Sequence, residues 1–312
     1  MVALLTSLLA SKGTPDASVL AGLAPSDDAA VYRLDDDRAL VASVDFFPPL
    51  VDDPTDYGRV AAANAVSDVY AMGGTVAFAL IVSGFPEGVA TETVVATSAA
   101  AADVVAACGG QVLGGHSIRC KEPVFGLCVL GFVHPQAVWR KSGAKPGDVL
   151  MLSKPLGTGV LLSAGLAAGM AAAIQSMCVT NRDAAAALAA GPVSPSAVTD
   201  VTGYGLIGHA AEMAVRSEMT FKIESPRVPL LRGALEAAQR GCHTSADSSL
   251  RLTPNVTLAK DLDPAIARLL YDPQTSGGLL AAVEAAEVSR LAAHGFRRIG
   301  CVEAGPAAVI IS

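Results

Sequence analysis

The first half of the chain alternates strand-like and helix-like runs, several of them closed by paired glycines. A strand is predicted at 39–47 (ALVASVDFF), followed by a helix within 52–74 (DDPTDYGRVAAANAVSDVYAMGG) and a strand at 75–86 (TVAFALIVSGFP). A second helix is predicted at 92–110, where two glycines end it, and QVLGGHSI and VFGLCVLGFV add two more strands. This alternation predicts an α/β or α+β fold in which helices cover one face of a sheet.

The length of 312 residues suits two domains of about 150 residues each. Glycine, proline and lysine in KSGAKPGDVL separate two strand-like runs, so the domains are predicted to span 1–145 and 146–312. The polar stretch 241–261 is interpreted as a long surface loop. Strands of the second half, interleaved with alanine-rich helices, are predicted at 148–153, 197–201, 219–223, 278–283 and 298–312.

Composition excludes several classes of protein. The net charge is −7 without a cluster of basic residues, which argues against nucleic-acid binding, and an anionic ligand would need a metal ion. Residues 155–181 carry no charge, but their glycines and polar residues indicate two buried helices rather than a membrane span. The six cysteines form no CxxC pair, so free thiols in the cytoplasm are expected.

Aspartates recur at the ends of apolar elements. Asp27 and Asp28 precede a strand-like run, Asp45 and Asp200 end other strands, and Asp68 lies in a helix. If these carboxylates converge, their repulsion calls for a divalent cation, and ligands that are all oxygen suit Mg²⁺. The alternative is that some of them only cap helices or turns, which applies least to Asp45 and Asp68.

The helix within 52–74 carries a polar stripe on an otherwise apolar surface. Asn64, Ser67 and Asp68 are spaced i, i+3 and i+4, so they share one face of a helix. We expect this stripe to face a ligand-binding groove.

Glycine-rich stretches occur where the chain passes between elements. Glycines let backbone N–H groups approach phosphate oxygens, although each stretch is also compatible with a simple tight turn, and none matches a P-loop or dinucleotide-binding motif. The four stretches are LGGHS at 113–117, KPLGTG at 154–159, TGYGLIGH at 202–209 and DPQTSGGLL at 272–280.

Other polar residues give weaker signals. His116 either donates to a phosphate or is a satisfied turn histidine, and Lys154 either meets a phosphate or is solvated. His209 is interpreted as a packed helix residue. Cys120 has no evident base nearby in sequence and is interpreted as inert.

Several strings, taken in order, resemble the selenophosphate synthetase (selenide, water dikinase) family, in the superfamily of aminoimidazole ribonucleotide synthetase. They are DDAAVY, VDFFPPLVDDPTDYGRVAAANAVSDVYAMGG, GGHSI, EPVFGLCVLGFV, KPLGTGVL, TDVTGYGLIGHAAEM and LLYDPQTSGGLLAAV. The resemblance implies a two-domain α/β fold. Its N-terminal domain would bind ATP and dimerise, with the sheets of two copies forming a β-barrel, and its C-terminal domain would be an α/β sandwich.

The resemblance also implies a reaction and a site. ATP, selenide and water would give selenophosphate, AMP and phosphate, in a cytoplasmic homodimer that engages neither nucleic acid nor membrane. The implied Mg²⁺ ligands are Asp28, Asp45, Asp68 and Asp200. The implied nucleotide contacts are Asp27, Asp45, Asn64, Asp68, Gly115, His116 and Ser117.

The sequence departs from the family pattern in two places. Family members carry, ahead of the region aligned with VALLTSLL, a glycine-rich segment with a catalytic cysteine or selenocysteine and a lysine. Lys12 does not match that lysine, and Cys108 and Cys120 lie in unrelated motifs, so no catalytic residue is assigned and little selenophosphate is expected from this chain unaided. The stretch GCHTSADSSLRLT also differs from the family's usual Gly-Thr-Arg-Asn turn.

Two other functions stay open at this point. One is another ATPase of the superfamily, such as an aminoimidazole ribonucleotide synthetase or a thiamine monophosphate kinase. The other is a catalytically silent paralogue that binds nucleotide, or a regulatory dimer module.

Overall fold

Two units of the chain fold around separate sheets. The computed structural model describes residues 16–23, 26–242, 244 and 255–312. The first unit is Met1–Arg140 and the second is Lys141–Ser312. The boundary expected from sequence, between 145 and 146, lies near the start of the second unit.

The sheet of the first unit has six strands in the order β1-β2-β3-β6-β4-β5. Neighbouring strands are antiparallel, except that β4 and β5 are parallel. The strands are β1 Val19–Leu23, β2 Ser26–Arg33, β3 Ala39–Phe47, β4 Thr75–Phe85, β5 Gln111–Arg119 and β6 Val124–Val133. The helices are α1 Pro54–Ala65, α2 Ser67–Ala71 and α3 Thr91–Ala107.

Helix α1 begins at a well-formed cap and packs closely against its neighbours. The carboxylate of Asp53 accepts a hydrogen bond from the backbone N–H of Asp56, and Pro54 occupies the first turn, where no N–H is needed. Gly58 brings α1 against α3, because a Cβ there would lie 2.1 Å from the carbonyl oxygen of Thr97. Glycine at position 58 therefore allows α1 to pack closely against α3.

The structure corrects several predicted boundaries. The single helix predicted within 52–74 is two helices separated at Val66, and the strand predicted at 298–312 is two strands. Strand β1 was not predicted. The predicted loop 241–261 contains a strand at Val256–Leu258, while 243 and 245–254 lie outside the described residues.

The sheet of the second unit has seven strands and mixed pairing. Its order is β10-β13-β9-β12-β7-β11-β8. The strands are β7 Val149–Leu152, β8 Ala197–Asp200, β9 Thr220–Ile223, β10 Val256–Leu258, β11 Leu279–Val283, β12 Arg297–Glu303 and β13 Ala308–Ile311. The helices are α4 Thr158–Ala164, α5 Ala167–Cys178, α6 Arg182–Ala189, α7 Gly205–Ser217, α8 Ala234–Gln239, α9 Pro264–Tyr271 and α10 Val288–Ala293.

The uncharged segment 155–181 forms α4 and α5, as two helices rather than one. Only Ala173 and Met177 of α5 are buried, so the expectation of two buried helices is wrong for α5. In the part of the chain that the structure describes, no helix is long and apolar enough to cross a membrane.

Candidate metal and nucleotide site

Polar side chains from strand β3 and helices α1 and α2 come together in the first unit. Asp45 and Ser43 lie on β3, Asn64 lies near the end of α1, and Asp68 lies in the first turn of α2. Asp28 of the neighbouring strand β2 joins them. We call these five residues the acidic cluster.

Asp68 occupies the centre of the acidic cluster. Its Oδ2 accepts a 2.5 Å hydrogen bond from the hydroxyl of Ser43. Carboxylate oxygens of Asp28 and Asp68 lie within 4.8 Å of each other, and both residues are half-buried. Two carboxylates so close and partly shielded from water repel one another, which a divalent cation would relieve.

Asp45 is oriented by the helix above it. Oδ2 of Asp45 accepts a 2.9 Å hydrogen bond from Nδ2 of Asn64, whose side chain is buried. Carboxylate, amide and hydroxyl oxygens together form an oxygen-only donor set that fits Mg²⁺.

Two details of the polar stripe differ from expectation. Ser67 is fully buried, so it does not share an open groove with Asp68. Ser43 was not predicted, although it lies two residues before Asp45 and period-two alternation places both on the same face of β3.

Asp27 and Asp28 lie within β2 rather than before a strand, which corrects the interpretation from sequence. An oxygen of Asp27 accepts a 3.2 Å hydrogen bond from the backbone N–H of Asp28. The carboxylate of Asp28 therefore lies near that of Asp68, whereas the carboxylate of Asp27 bonds to the backbone.

The GGHS residues lie at the far edge of the same sheet. Register across the strands aligns Asp45 with Leu127, Leu127 with Ile81, and Ile81 with Gly115. Three strand spacings of about 4.8 Å separate Asp45 from Gly115 by roughly 14 Å along the sheet. His116 and Ser117 follow on the same edge strand and are exposed. The structure therefore divides the predicted nucleotide contacts into two groups.

Gly115 is required where β5 meets β4. A Cβ at this position would lie 2.1 Å from the carbonyl oxygen of Ile81, and the residue has φ +153°. The stretch LGGHS is thus part of a strand, as predicted for QVLGGHSI, and the alternative of a tight turn is wrong. The hydroxyl of Ser117 is held 2.8 Å from that of Ser83.

Asp200 belongs to the second unit. It ends β8, is 2% exposed, and lies opposite Leu279 of β11. Lys154 is also buried in this unit, and its Nζ donates to the carbonyl oxygens of Val179 and Ser276. Neither reading of Lys154 from sequence fits, because it is neither solvated nor presented to a ligand.

Burial lowers the pKa of Lys154 to about 7, although electrostatic interactions with Asp200 and Cys178 act in the opposite direction and raise it. Two other candidates from sequence, His209 and Cys120, also have defined surroundings. His209 is a buried residue of α7, and Sγ of Cys120 lies 2.8 Å from the carbonyl oxygen of Glu122.

Comparison with known proteins identifies the family. The N-terminal domain of AIR synthase related proteins matches residues 26–133, and the C-terminal domain of those proteins matches residues 145–311. A selenide, water dikinase of Burkholderia ambifaria (strain MC40-6) is 44% identical over 98% of this chain and 91% of its own length. The chain belongs to the selenide, water dikinase family.

Another member of this family is similar over a slightly shorter span. The selenide, water dikinase of Caldanaerobacter subterraneus subsp. tengcongensis is 42% identical over 90% of this chain and 82% of its own length.

Solved structures show the same two-domain α/β fold. The AaThiL structure, complexed with AMPPCP and TMP, has a TM-score of 0.74 at 20% identity and covers 99% of this chain and 91% of its own. A hydrogenase maturation protein HypE in complex with ATP has a TM-score of 0.71 at 18% identity, covering 90% and 83%. At these identities the likeness concerns the fold alone.

Proposed function

We propose that this protein makes selenophosphate from ATP, selenide and water, with AMP and phosphate as the other products. The observation that carries this proposal is the 44% identity with a selenide, water dikinase over nearly the whole chain. The acidic cluster adds a physical reason, because phosphoryl transfer depends on positioning and charge neutralisation more than on a protein nucleophile.

We propose that Mg²⁺ is held by Asp28, Asp45 and Asp68, with Asp200 as a further ligand. Bound Mg²⁺ would neutralise phosphate charge and orient the phosphoryl groups. The protein's part is to keep these carboxylates in place, and the hydrogen bonds from Ser43 to Asp68 and from Asn64 to Asp45 support that role.

Asp27, Asn64, Gly115, His116 and Ser117 are proposed nucleotide contacts. The roughly 14 Å between Asp45 and Gly115 along the sheet suits an elongated ligand whose phosphates and base lie at opposite ends. Gly115 lets β5 pair closely with β4, and the exposed imidazole of His116 on the same strand is available to a polar ligand group.

We also propose a homodimer that pairs the open faces of two first-unit sheets into the barrel expected from the resemblance. Register places five apolar side chains, each 38–55% exposed, on the face opposite Asp45. A contiguous apolar face of this kind marks a contact surface. We call it the open face, and its residues are Tyr32, Val44, Phe46, Ile118 and Phe132.

A cytoplasmic location completes the proposal. All six cysteines are unbridged, which suits a reducing compartment. The net charge of −7 supports the absence of nucleic acid among the partners.

The test is to measure AMP, ADP and phosphate formed from Mg-ATP with and without selenide. We expect AMP and phosphate in equal amounts, both dependent on selenide. ADP as the end product without selenide dependence would assign the chain to another ATPase of the superfamily. Mg-ATP binding without any turnover would assign it to the silent nucleotide-binding class.

A further inference from the structure

A cavity of about 550 Å³ lies between two helices of the second unit. Leu161 of α4, which is buried, forms its floor, and α5 and α8 form its walls. Small-molecule sites in proteins are concave, mostly apolar and of about 300–1,000 Å³, so this cavity has the size of one. We call it the α5–α8 cavity. The residues that line it lie outside the proposed metal and nucleotide site.

Helix α5 gives the cavity an uncharged wall. None of its 12 residues is charged, yet only Ala173 and Met177 are buried. An exposed helix normally carries charged residues on its outer face, so this composition is unusual for a surface in contact with water. The α5 residues that line the cavity have small side chains apart from Gln175, and so they leave the space open. They are Ala168, Gly169, Ala171 and Ala172.

The α8 wall carries the charge of the cavity. Arg232 precedes α8 and Arg240 follows it, both are exposed, and Glu236 lies between them. Two arginines and one glutamate give this wall a net charge of +1, in a chain with a net charge of −7. Within the described part of the chain, neither guanidinium group forms an ion pair with a carboxylate. Both groups are therefore available to the oxygens of a carboxylate or phosphate.

The dimensions of the cavity favour a compact ligand over a partner helix. Helix α8 has 6 residues, which span about 9 Å at 1.5 Å per residue. A helix that binds in a groove places apolar anchors at i, i+3, i+4 and i+7, over at least about 10 Å. Here an arginine lies at each end of the shorter wall, so charge bounds the apolar surface within that length.

We propose that the α5–α8 cavity binds a small amphipathic anion, with its apolar body against α5 and Leu161 and its carboxylate or phosphate group against the arginines of the α8 wall. Binding removes the apolar body and the exposed alanines from water, which provides affinity. The acidic group provides specificity, because an uncharged molecule makes no ion pair with the arginines. The proposal is independent of the proposed function, so the failure of one leaves the other intact.

Titration calorimetry with octyl phosphate and octanoate, each below its micelle-forming concentration, tests the proposal. We expect saturable binding of at least one of them at one site per chain, and the stronger binder identifies the acidic group as phosphate or carboxylate. Octanol, which has no charge, and inorganic phosphate, which has no apolar body, should each bind at least about tenfold more weakly. No saturable binding of either amphiphile, or octanol bound as tightly as they are, would overturn the proposal.

Variants of both walls locate the bound probe. The double variant Arg232→Ala, Arg240→Ala should weaken binding of the amphiphiles at least about tenfold, and Ala171→Phe should abolish it by filling the cavity. Arg297→Ala, at an exposed arginine of β12, and Ala186→Phe, at an exposed alanine of α6, are matched controls. Unchanged affinity in the folded double variant would overturn the proposal. Because both arginines are exposed, this variant is expected to fold even if Ala171→Phe does not.

Leucine methyl NMR with octyl phosphate shows where the probe lies. We expect shifts of the methyl groups of Leu161 and Leu166, which line the cavity. Shifts confined to Leu50 and Leu113, exposed leucines of the first unit, would place the probe there and overturn the proposal. The same conclusion follows if Ala171→Phe halves the sedimentation mass, since a second copy of the chain would then cover the cavity.

Discussion

The hydroxyl of Ser43 donates a 2.5 Å hydrogen bond to Oδ2 of Asp68, joining strand β3 to helix α2. A hydrogen bond to a charged acceptor is worth about 1.5–3 kcal/mol. It holds Oδ2 of Asp68 in a carboxylate that lies within 4.8 Å of that of Asp28. The hydroxyl therefore positions a carboxylate that we propose binds Mg²⁺.

We expect Ser43→Ala to weaken Mg-ATP binding several-fold, because Asp68 loses the group that fixes its rotamer. Asp68→Asn should weaken binding more, by at least about tenfold, or ~1.4 kcal/mol. Titration calorimetry with Mg-ATP measures both changes. Ser98→Ala and Asp103→Asn in α3 are matched controls. Unchanged affinity in Asp68→Asn would make the acidic cluster structural.

Asp28→Asn should have opposite effects with and without metal. Without Mg²⁺, removing the repulsion between Asp28 and Asp68 is expected to raise the free energy of unfolding by roughly 1 kcal/mol. With Mg²⁺, the substituted protein should gain less stability than the unsubstituted one. Thermal unfolding with and without Mg-ATP checks both parts. Equal stabilisation of the two proteins by Mg²⁺ would exclude Asp28 as a ligand.

Gly114 and Gly115 form a natural pair of test and control. Their φ angles are +152° and +153°, but a Cβ at Gly114 meets nothing within 4 Å, whereas one at Gly115 meets the Ile81 carbonyl oxygen at 2.1 Å. We expect Gly115→Ala to cost about 1–3 kcal/mol more than Gly114→Ala in denaturant unfolding. An equal loss of stability in the two variants would mean that position 115 requires glycine for its backbone conformation and not for its close contact with β4.

Phe46→Glu should separate the proposed homodimer into single chains. Phe46 is 53% exposed on the open face, and a charge there would be desolvated on association. Sedimentation equilibrium should give twice the chain mass for the unsubstituted protein and the chain mass for the variant. Val95→Glu, at a residue of α3 that is 59% exposed, is the control. An unsubstituted protein that sediments as a monomer would contradict the proposal.

Asp272 should make stability fall as pH rises. It is fully buried after α9, and burial raises its pKa to about 6 despite hydrogen bonds from Val160 N–H, Gln274 and Thr244. Because the folded pKa exceeds the unfolded value near 3.8, its contribution is complete below pH 3.8 and is lost as pH rises through 6. The change is on the order of 2–3 kcal/mol.

Denaturant unfolding at pH 4.5 and 7.5 checks this sign. Asp272→Asn should show a weaker decline in stability between the two pH values than the unsubstituted protein does. The same change in stability between the two pH values in both proteins would mean that groups other than Asp272 cause the decline.

Most elements of the first unit were predicted from local signals in the sequence. These signals, the alternation of strand-like and helix-like runs and the paired glycines that close them, depend only on residues close together in the chain. Strand order is non-local, so the roughly 14 Å between Asp45 and Gly115 could not be predicted. The break at Val66 has no glycine or proline to mark it. From sequence, Asp27 and Asp28 were expected to precede a strand, because their segment has no periodic pattern of its own. The segment joins the sheet by pairing with the short strand β1, whose register is irregular.

Strand β3 presents two different surfaces. Ser43 and Asp45 point towards the helices, while Val44 and Phe46 point to the open face. A shift of one residue in pairing with β6 would exchange them, putting an aromatic ring beneath the helices and a carboxylate on the contact surface. The proposed metal site and the proposed homodimer therefore depend on a single backbone register, and we expect an insertion or deletion within β3 to abolish both together.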